Sequence, residues 1–318
     1  MSNLTSTSGF LLLEFSQVRE LQVLHFFLFL ALYLIIIMGN LLIIVVIVLD
    51  HRLHIPMYFF LMNLAISDIG SVSVTLPKSM FNLLMNSTHI SYFECVSQIF
   101  FFLVFECFDF AILIIMAHDR YVAICNPLQY EQIMNERACV QMTTIAWITG
   151  VLYSGLHTAG TFSINFCSNS VDQFFCEIPK LMKLSCSDLY LVEVAFLVFT
   201  YIAALGYFIF IIKTYVRIFT TVLKIPSKQG QHKALSTCLP HLLVVSLYLF
   251  SGLFVYATPH SNISPDLDLV FAVIYAILPS LLNPFIYSLR NKQIQTALKK
   301  LLNLKHLCGT VPKFVLKS

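Results

Sequence analysis

Charge is what this 318-residue chain has least of: Asp, Glu, Lys and Arg together make up 11% of it, against about a quarter in soluble domains. With 58% of its residues hydrophobic, so few charges exclude an ordinary water-soluble fold. Net charge is small too, +3, so no nucleic-acid partner is expected. Catalytic spacings are missing: there is no His-x-x-x-His, Gly-x-Ser-x-Gly or Cys-x-x-Cys, and with them goes the nucleophile or metal constellation of a membrane enzyme. Repeated halves are missing as well, which argues against a transporter built from paired broken helices. No linker or low-complexity run divides the chain, and the first residues lack the charged n-region, short apolar core and small-residue cleavage site of a signal peptide. The first helix is therefore expected to act as its own insertion signal.

What the chain has is long apolar blocks. A bilayer core about 30 Å thick needs roughly 20 apolar residues in a helix, and seven blocks meet that length, near Val23–Leu49, Met57–Leu84, Ser91–Cys125, Cys139–Gly160, Leu189–Leu223, Lys233–Ala257 and Leu267–Leu289. Asp68 interrupts the second, and Pro279, Asn283 and Pro284 the seventh. The expected fold is an all-α membrane protein: an extracellular segment 1–22, a seven-helix domain 23–289, and a cytoplasmic amphipathic helix and tail 290–318. "RNKQIQTALKKLL" (Arg290–Leu302) reads as a helix lying on the membrane.

Three patterns agree on orientation. With the N-terminus outside, only Arg19, Lys78, Lys180 and Lys183 of the nineteen Lys and Arg residues fall on the outer side, as the positive-inside rule requires. The glycosylation sequons at Asn3, Asn86 and Asn262 all land outside. So do four of the nine cysteines, Cys95, Cys167, Cys176 and Cys186, an even number in an oxidising compartment. Spacing alone leaves three pairings open. Cys107, Cys125, Cys139, Cys238 and Cys308 lie in or below the membrane and read as reduced thiols, with no metal-site spacing.

"LHIPMYFFL" (Leu53–Leu61), "MAHDRYVAICNPLQY" (Met116–Tyr130), "KALSTCLPHLLVV" (Lys233–Val245) and "NPFIYSLRN" (Asn283–Asn291) stand after the first helix, at the end of the third, at the start of the sixth and at the end of the seventh. The long outer loop reads "FCSNSVDQFFCEIPKLMKLSCSD" (Phe166–Asp188). In these motifs, and over nearly its whole length, the chain resembles the olfactory receptors among the rhodopsin-like G-protein-coupled receptors. The resemblance implies a plasma-membrane protein of olfactory cilia that binds a small volatile odorant and activates a stimulatory heterotrimeric G protein, raising cyclic AMP. It implies disulfides Cys95–Cys176 and Cys167–Cys186, and no cofactor beyond a sodium ion.

The same resemblance distributes roles. Asp119, Arg120 and Tyr121 would couple to the G protein, the Arg120 guanidinium pairing with its neighbour at rest, while Asn283, Pro284 and Tyr287 would form the switch. Pro284 removes a backbone hydrogen bond and permits a kink. Tyr207 stands where the family has the tyrosine of a Ser-Tyr pair, with Gly206 in place of the serine. His118 replaces a tyrosine and is either pH-sensitive or an interfacial histidine without a role. Lys224, Lys228 and Lys233 make the inner face positive, suited to an acidic partner or lipid headgroups. Asp68, Asp109 and Asn283 would surround sodium or water; the alternative is a protonated, hydrogen-bonded Asp109. Asp109 and Arg120, eleven residues apart, share a helix face to within about 20°.

The ligand pocket implied by resemblance takes Phe102, Leu103, Glu106, Cys107 and Phe110 from the third helix, Phe199 from the fifth, Leu249, Phe250 and Leu253 from the sixth, and Val273 and Ala276 from the seventh. Leu103, Glu106, Cys107 and Phe110 follow the i, i+3, i+4, i+7 spacing of one face. A carboxylate there would favour ligands with a hydrogen-bond donor; the alternatives are that Glu106 turns toward the outer loop or is neutralised by desolvation.

Overall fold

The computed structural model describes residues 9–186, 190–257 and 265–309; at 190, 233, 237, 249–257, 265–268, 288–290 and 302–309 it describes the backbone alone. In chain order the elements are β1 (Phe10–Leu12), α1 (Arg19–Leu49), α2 (Pro56–Met85), β2 (His89–Ile90), α3 (Tyr92–Cys125), α4 (Tyr130–Ile133), α5 (Glu136–Phe162), β3 (Ser170–Val171), α6 (Ile178–Met182), α7 (Tyr190–Leu223), α8 (Lys228–Ala257), α9 (Pro265–Arg290) and α10 (Lys292–Gly309). Among the described residues α1, α2, α3, α5, α7 and α9 are long and apolar enough to cross a membrane. Thirty-residue α8 packs chiefly on α9 and also touches α7 and α3, completing a seven-helix bundle.

Local chemistry sets the helix ends. Ser91 and Glu94 form a reciprocal capping box at the start of α3, satisfying two amides that a helix start leaves unpaired. The Asn135 side chain caps α5 by accepting from the Ala138 amide at 2.9 Å. α1 begins at Arg19, earlier than the expected start of the first span, because the Arg19 guanidinium donates to the Leu83 and Leu84 carbonyls at the end of α2 at 2.8 and 2.7 Å. That stitches the outer ends of α1 and α2 together with a charged group that remains in water. α2 ends at Asn86, which takes the left-handed conformation with φ of 51°.

An all-α reading omits one feature. β1 runs between β2, antiparallel to it, and β3, parallel to it, in a small sheet with Phe10 opposite Ile90 and Leu12 opposite Val171. Two- and three-residue strands carry no alternation long enough to register in sequence. Phe10, Leu12, Ile90 and Val171 are buried under this sheet with Cys95 and Cys176.

Inside the bundle, helices associate through packing rather than through escape from water. Trp147, the one tryptophan, stacks on Phe108 with ring centroids 3.9 Å apart. One turn along α5, Gly150 lets the backbone of α3 approach: a Cβ there would stand 3.0 Å from the Val104 carbonyl oxygen. α7 is the least enclosed span, with 6% of its most apolar window buried.

Candidate functional site

At the inner end of α3, Asp119 is buried and Arg120 half-buried. The two are not paired with each other. Residues i and i+1 on a helix point about 100° apart and do not face one another. The Asp119 carboxylate instead accepts from the Tyr130 hydroxyl of α4 at 2.7 Å, and the Arg120 guanidinium lies against the Met57 sulfur of α2. The expected Asp119–Arg120 pairing is thereby corrected, and among the described residues Arg120 forms no ion pair. Burial, then the neighbouring Asp119 carboxylate, hold the Tyr130 phenol well above its usual pKa, so it stays a donor. Beside them the Arg217 guanidinium reaches the Tyr121 hydroxyl at 3.5 Å, and the Tyr58 hydroxyl, with one proton to give, lies 2.6 Å from the Gln293 side-chain oxygen and 3.0 Å from that of Asn291 at the start of α10.

Tyr207 is 49% exposed and rests its ring against Phe110 at 5.9 Å. The buried tyrosine of this helix lies two turns further in. Tyr215 is 3% exposed, its hydroxyl 2.6 Å from His241 Nδ1, and His241 Nε2 lies 2.9 Å from the Leu113 carbonyl oxygen. The inward-facing tyrosine of this helix is therefore Tyr215 and not Tyr207, and the signal for it was the adjacent hydroxyl residue, Thr214, also buried. Tyr287 on α9 is buried, and its hydroxyl has no hydrogen-bond partner among the described residues.

Mid-bundle, the Asn283 amide donates to both carboxylate oxygens of Asp68, at 3.1 and 3.0 Å, and the Tyr248 hydroxyl donates to Asp109 at 3.0 Å. Asp68 and Asp109 are fully buried and Asn283 nearly so. One oxygen of Asp109 and the amide oxygen of Asn283 lack partners among the described residues. Hard oxygens left open in this way suit a sodium ion, whereas no three His, Cys, Asp or Glu side chains among the described residues converge tightly enough for a metal cluster. Glu106 joins this polar centre. Its carboxylate accepts from Ser71 of α2 at 3.4 Å, so the single face drawn through Leu103, Glu106, Cys107 and Phe110 divides in two. Phe102 turns toward α9, Glu106 toward α2 and Asp109 toward α8, while Leu103, Cys107 and Phe110 turn toward α5 and α7.

The other pocket candidates sort by exposure. Phe102 is buried against Phe175 and Tyr275, ring centroids 5.3 and 5.8 Å away, and Ala276 and Val273 share its cluster. Phe199 is 72% exposed and is no part of the interior; its neighbour Thr200 faces inward instead. Leu249, Phe250 and Leu253 lie outside the described side chains, as do Asn3 and Asn262 outside the described residues and Cys308 outside the described side chains. Sequence reasoning also passed over a buried pair, His157 Nδ1 to Glu193 Oε1 at 2.5 Å, joining α5 to α7. Only the charge of Glu193, four residues into an apolar helix, signalled it.

On the outer side Cys95 is bonded to Cys176 and Cys167 to Cys186. The Asn86 side chain accepts from Gln22 at 2.7 Å and is exposed.

With this geometry in place, similarity to known proteins is informative. A sequence model of the family described as "Olfactory receptor" matches residues 29–305. Olfactory receptor 14C36 of Homo sapiens is 49% identical over 303 residues, covering 95% of this chain and 97% of that protein. Olfactory receptor 14A16, also of Homo sapiens, is 48% identical over 306 residues, with 96% and 99% covered. A crystal structure of squid rhodopsin superposes with a TM-score of 0.71 at 17% identity, over 94% of this chain and 90% of that one, a likeness of fold. A seven-helix bundle of this fold, matched along nearly its whole length at such identity, leaves one assignment: the chain belongs to the olfactory receptor family, multi-pass membrane receptors that are not enzymes.

Proposed function

We propose that this receptor binds a small, mostly apolar volatile ligand in the outer half of the bundle and activates a stimulatory, olfactory-type heterotrimeric G protein, raising cyclic AMP in the plasma membrane of sensory cilia. The observation that carries this reading is the inner end of α3: a half-buried arginine held by a thioether instead of a carboxylate. A sulfur contact is a weak restraint on a guanidinium, so a helix shift frees Arg120 for an acidic or carbonyl-rich partner at little cost. Lys224, Lys228 and the basic residues of α10 fall on the side expected to be cytoplasmic and favour such a partner and anionic lipid.

Asp68, Asp109 and Asn283 would hold a sodium ion, whose charge would offset two buried carboxylates. Asn283 and Asp68 tie α9 to α2, and Tyr248 and Asp109 tie α8 to α3; an ion between the two pairs would make the ligand-facing and partner-facing halves move together. The test is cyclic AMP in cells expressing the chain with and without the stimulatory α subunit, over a panel of volatile compounds. Ligand-dependent cyclic AMP that needs the α subunit and is lost in Arg120→Ala at equal surface level supports the reading; a response indifferent to both refutes it.

A further inference from the structure

The sulfur that touches the Arg120 guanidinium belongs to Met57, the second residue of α2. His51, Arg52, His54 and Ile55, just before it in the inner loop, are exposed, and Met57 itself is half-buried, so small solutes reach it from the inner side. Met116 and Met134, in the apolar cluster against which Met57 packs, are buried. A small oxidant arriving from that side meets Met57 before either of them.

Arg120 is short of acceptors. Its Nε is buried without a hydrogen-bond partner among the described residues, and it forms no ion pair there. The carboxylate next to it in sequence, Asp119, is engaged by Tyr130. That leaves a thioether, a weak acceptor, beside a charged donor whose unmade hydrogen bonds are costly.

Oxidation changes the chemistry of this contact and keeps its place. When the sulfur attacks a peroxide, an S–O bond forms as the O–O bond breaks, the sulfur gives up two electrons, and the departing hydroxide takes the proton of the transferred oxygen and leaves as water. The product, methionine sulfoxide, is polar and is reversed by reductases. Its oxygen stands one bond from the sulfur already against Nη2, within reach of the guanidinium, and hydrogen bonds from a cation are roughly twice as strong as neutral ones. We propose that Met57 is a redox modification site, at which hydrogen peroxide or another small peroxide turns the weak contact with Arg120 into a hydrogen-bonded clamp between α2 and α3 that dampens signalling. The inference rests on the coupling role proposed for Arg120 and adds its regulation.

A sulfoxide among apolar side chains ordinarily disrupts packing, so the sign of the stability change separates a clamp from damage. The probe is hydrogen peroxide applied to the full-length receptor. Conversion of each methionine is followed by peptide mass, stability by unfolding temperature in detergent, and signalling by basal cyclic AMP in cells that also express the stimulatory α subunit. Met57 should convert ahead of Met116 and Met134, the oxidised receptor should unfold at a higher temperature than the untreated one, and basal cyclic AMP should fall about tenfold, the shift given by about 1.4 kcal/mol. Met57→Leu should lose both responses to peroxide. Met57→Gln, whose amide oxygen stands in for that of the sulfoxide, should show both without peroxide. In Arg120→Ala the stability change should reverse, oxidation then lowering the unfolding temperature. An unchanged or lower unfolding temperature after Met57 conversion in wild type, equal peroxide effects in wild type and Met57→Leu, or Met57 left intact while Met116 and Met134 convert overturns the proposal. A gain in stability without a fall in cyclic AMP leaves the clamp standing and refutes the coupling role of Arg120 instead.

Discussion

Replacing Tyr130 by phenylalanine should release Asp119 and measurably destabilise the arrangement described above. The Tyr130 hydroxyl is the one hydrogen bond shown to the Asp119 side chain, and the carboxylate is 2% exposed. A hydrogen bond to a charged group contributes about 1.5–3 kcal/mol, and an orphaned buried acceptor costs about as much. Tyr130→Phe should therefore shift the balance between this conformation and any in which Asp119 finds water by roughly 10- to 150-fold. Two readouts follow: a lower unfolding temperature in detergent, and raised basal cyclic AMP if the alternative conformation is the signalling one. The pair is isolated by a double-mutant cycle with Asp119→Asn, whose carbonyl oxygen still accepts from the tyrosine without the charge. The loss from Tyr130→Phe should be about halved in the Asp119→Asn background, because a neutral acceptor is worth roughly half a charged one. Equal losses in both backgrounds would mean that the tyrosine acts through packing alone, and the reasoning would fail.

Other consequences can be measured on the same preparation. Gly150→Ala should lower stability by about 1–3 kcal/mol, since its Cβ meets the Val104 carbonyl oxygen at 3.0 Å and backbone cannot step aside; an unchanged unfolding temperature would contradict the close α3–α5 approach. Cys95–Cys176 spans 81 residues and Cys167–Cys186 spans 19, so chain entropy assigns about 4–5 and about 3 kcal/mol. Cys176→Ser should then be the more damaging, and the reverse order would refute that account. Sodium should raise the unfolding temperature relative to choline at equal ionic strength, and Asp109→Asn should abolish the increment; equal melting in both salts would dismiss the ion. Glu106→Gln should leave apolar-ligand binding within twofold of wild type, because Glu106 turns to Ser71; a larger loss of amine ligands alone would return it to the pocket.

Membrane residence, the number of spans and their approximate limits were legible in the chain, because hydrophobicity over about 20 residues is a one-dimensional signal that the bilayer reads directly. The orientation expected from lysine and arginine is likewise read from the chain alone, through the bias of positive charge toward the cytoplasm. Motif resemblance brought the family with it. Side-chain direction was not legible at this level. Phe199 and Thr200 are adjacent, yet one faces outward and the other inward; Tyr207 and Tyr215 lie on one apolar helix, and only packing against His241 buries the second. Glu106 fits two faces of α3 equally well by periodicity, and a serine on α2, 35 residues away, decides between them. His157 and Glu193, 36 residues apart, become a pair only when α5 and α7 lie side by side. What a residue touches depends on the rotation of each helix about its own axis, and in a bilayer, where apolar faces gain little by meeting one another, that rotation is set by tertiary packing and scarce polar contacts.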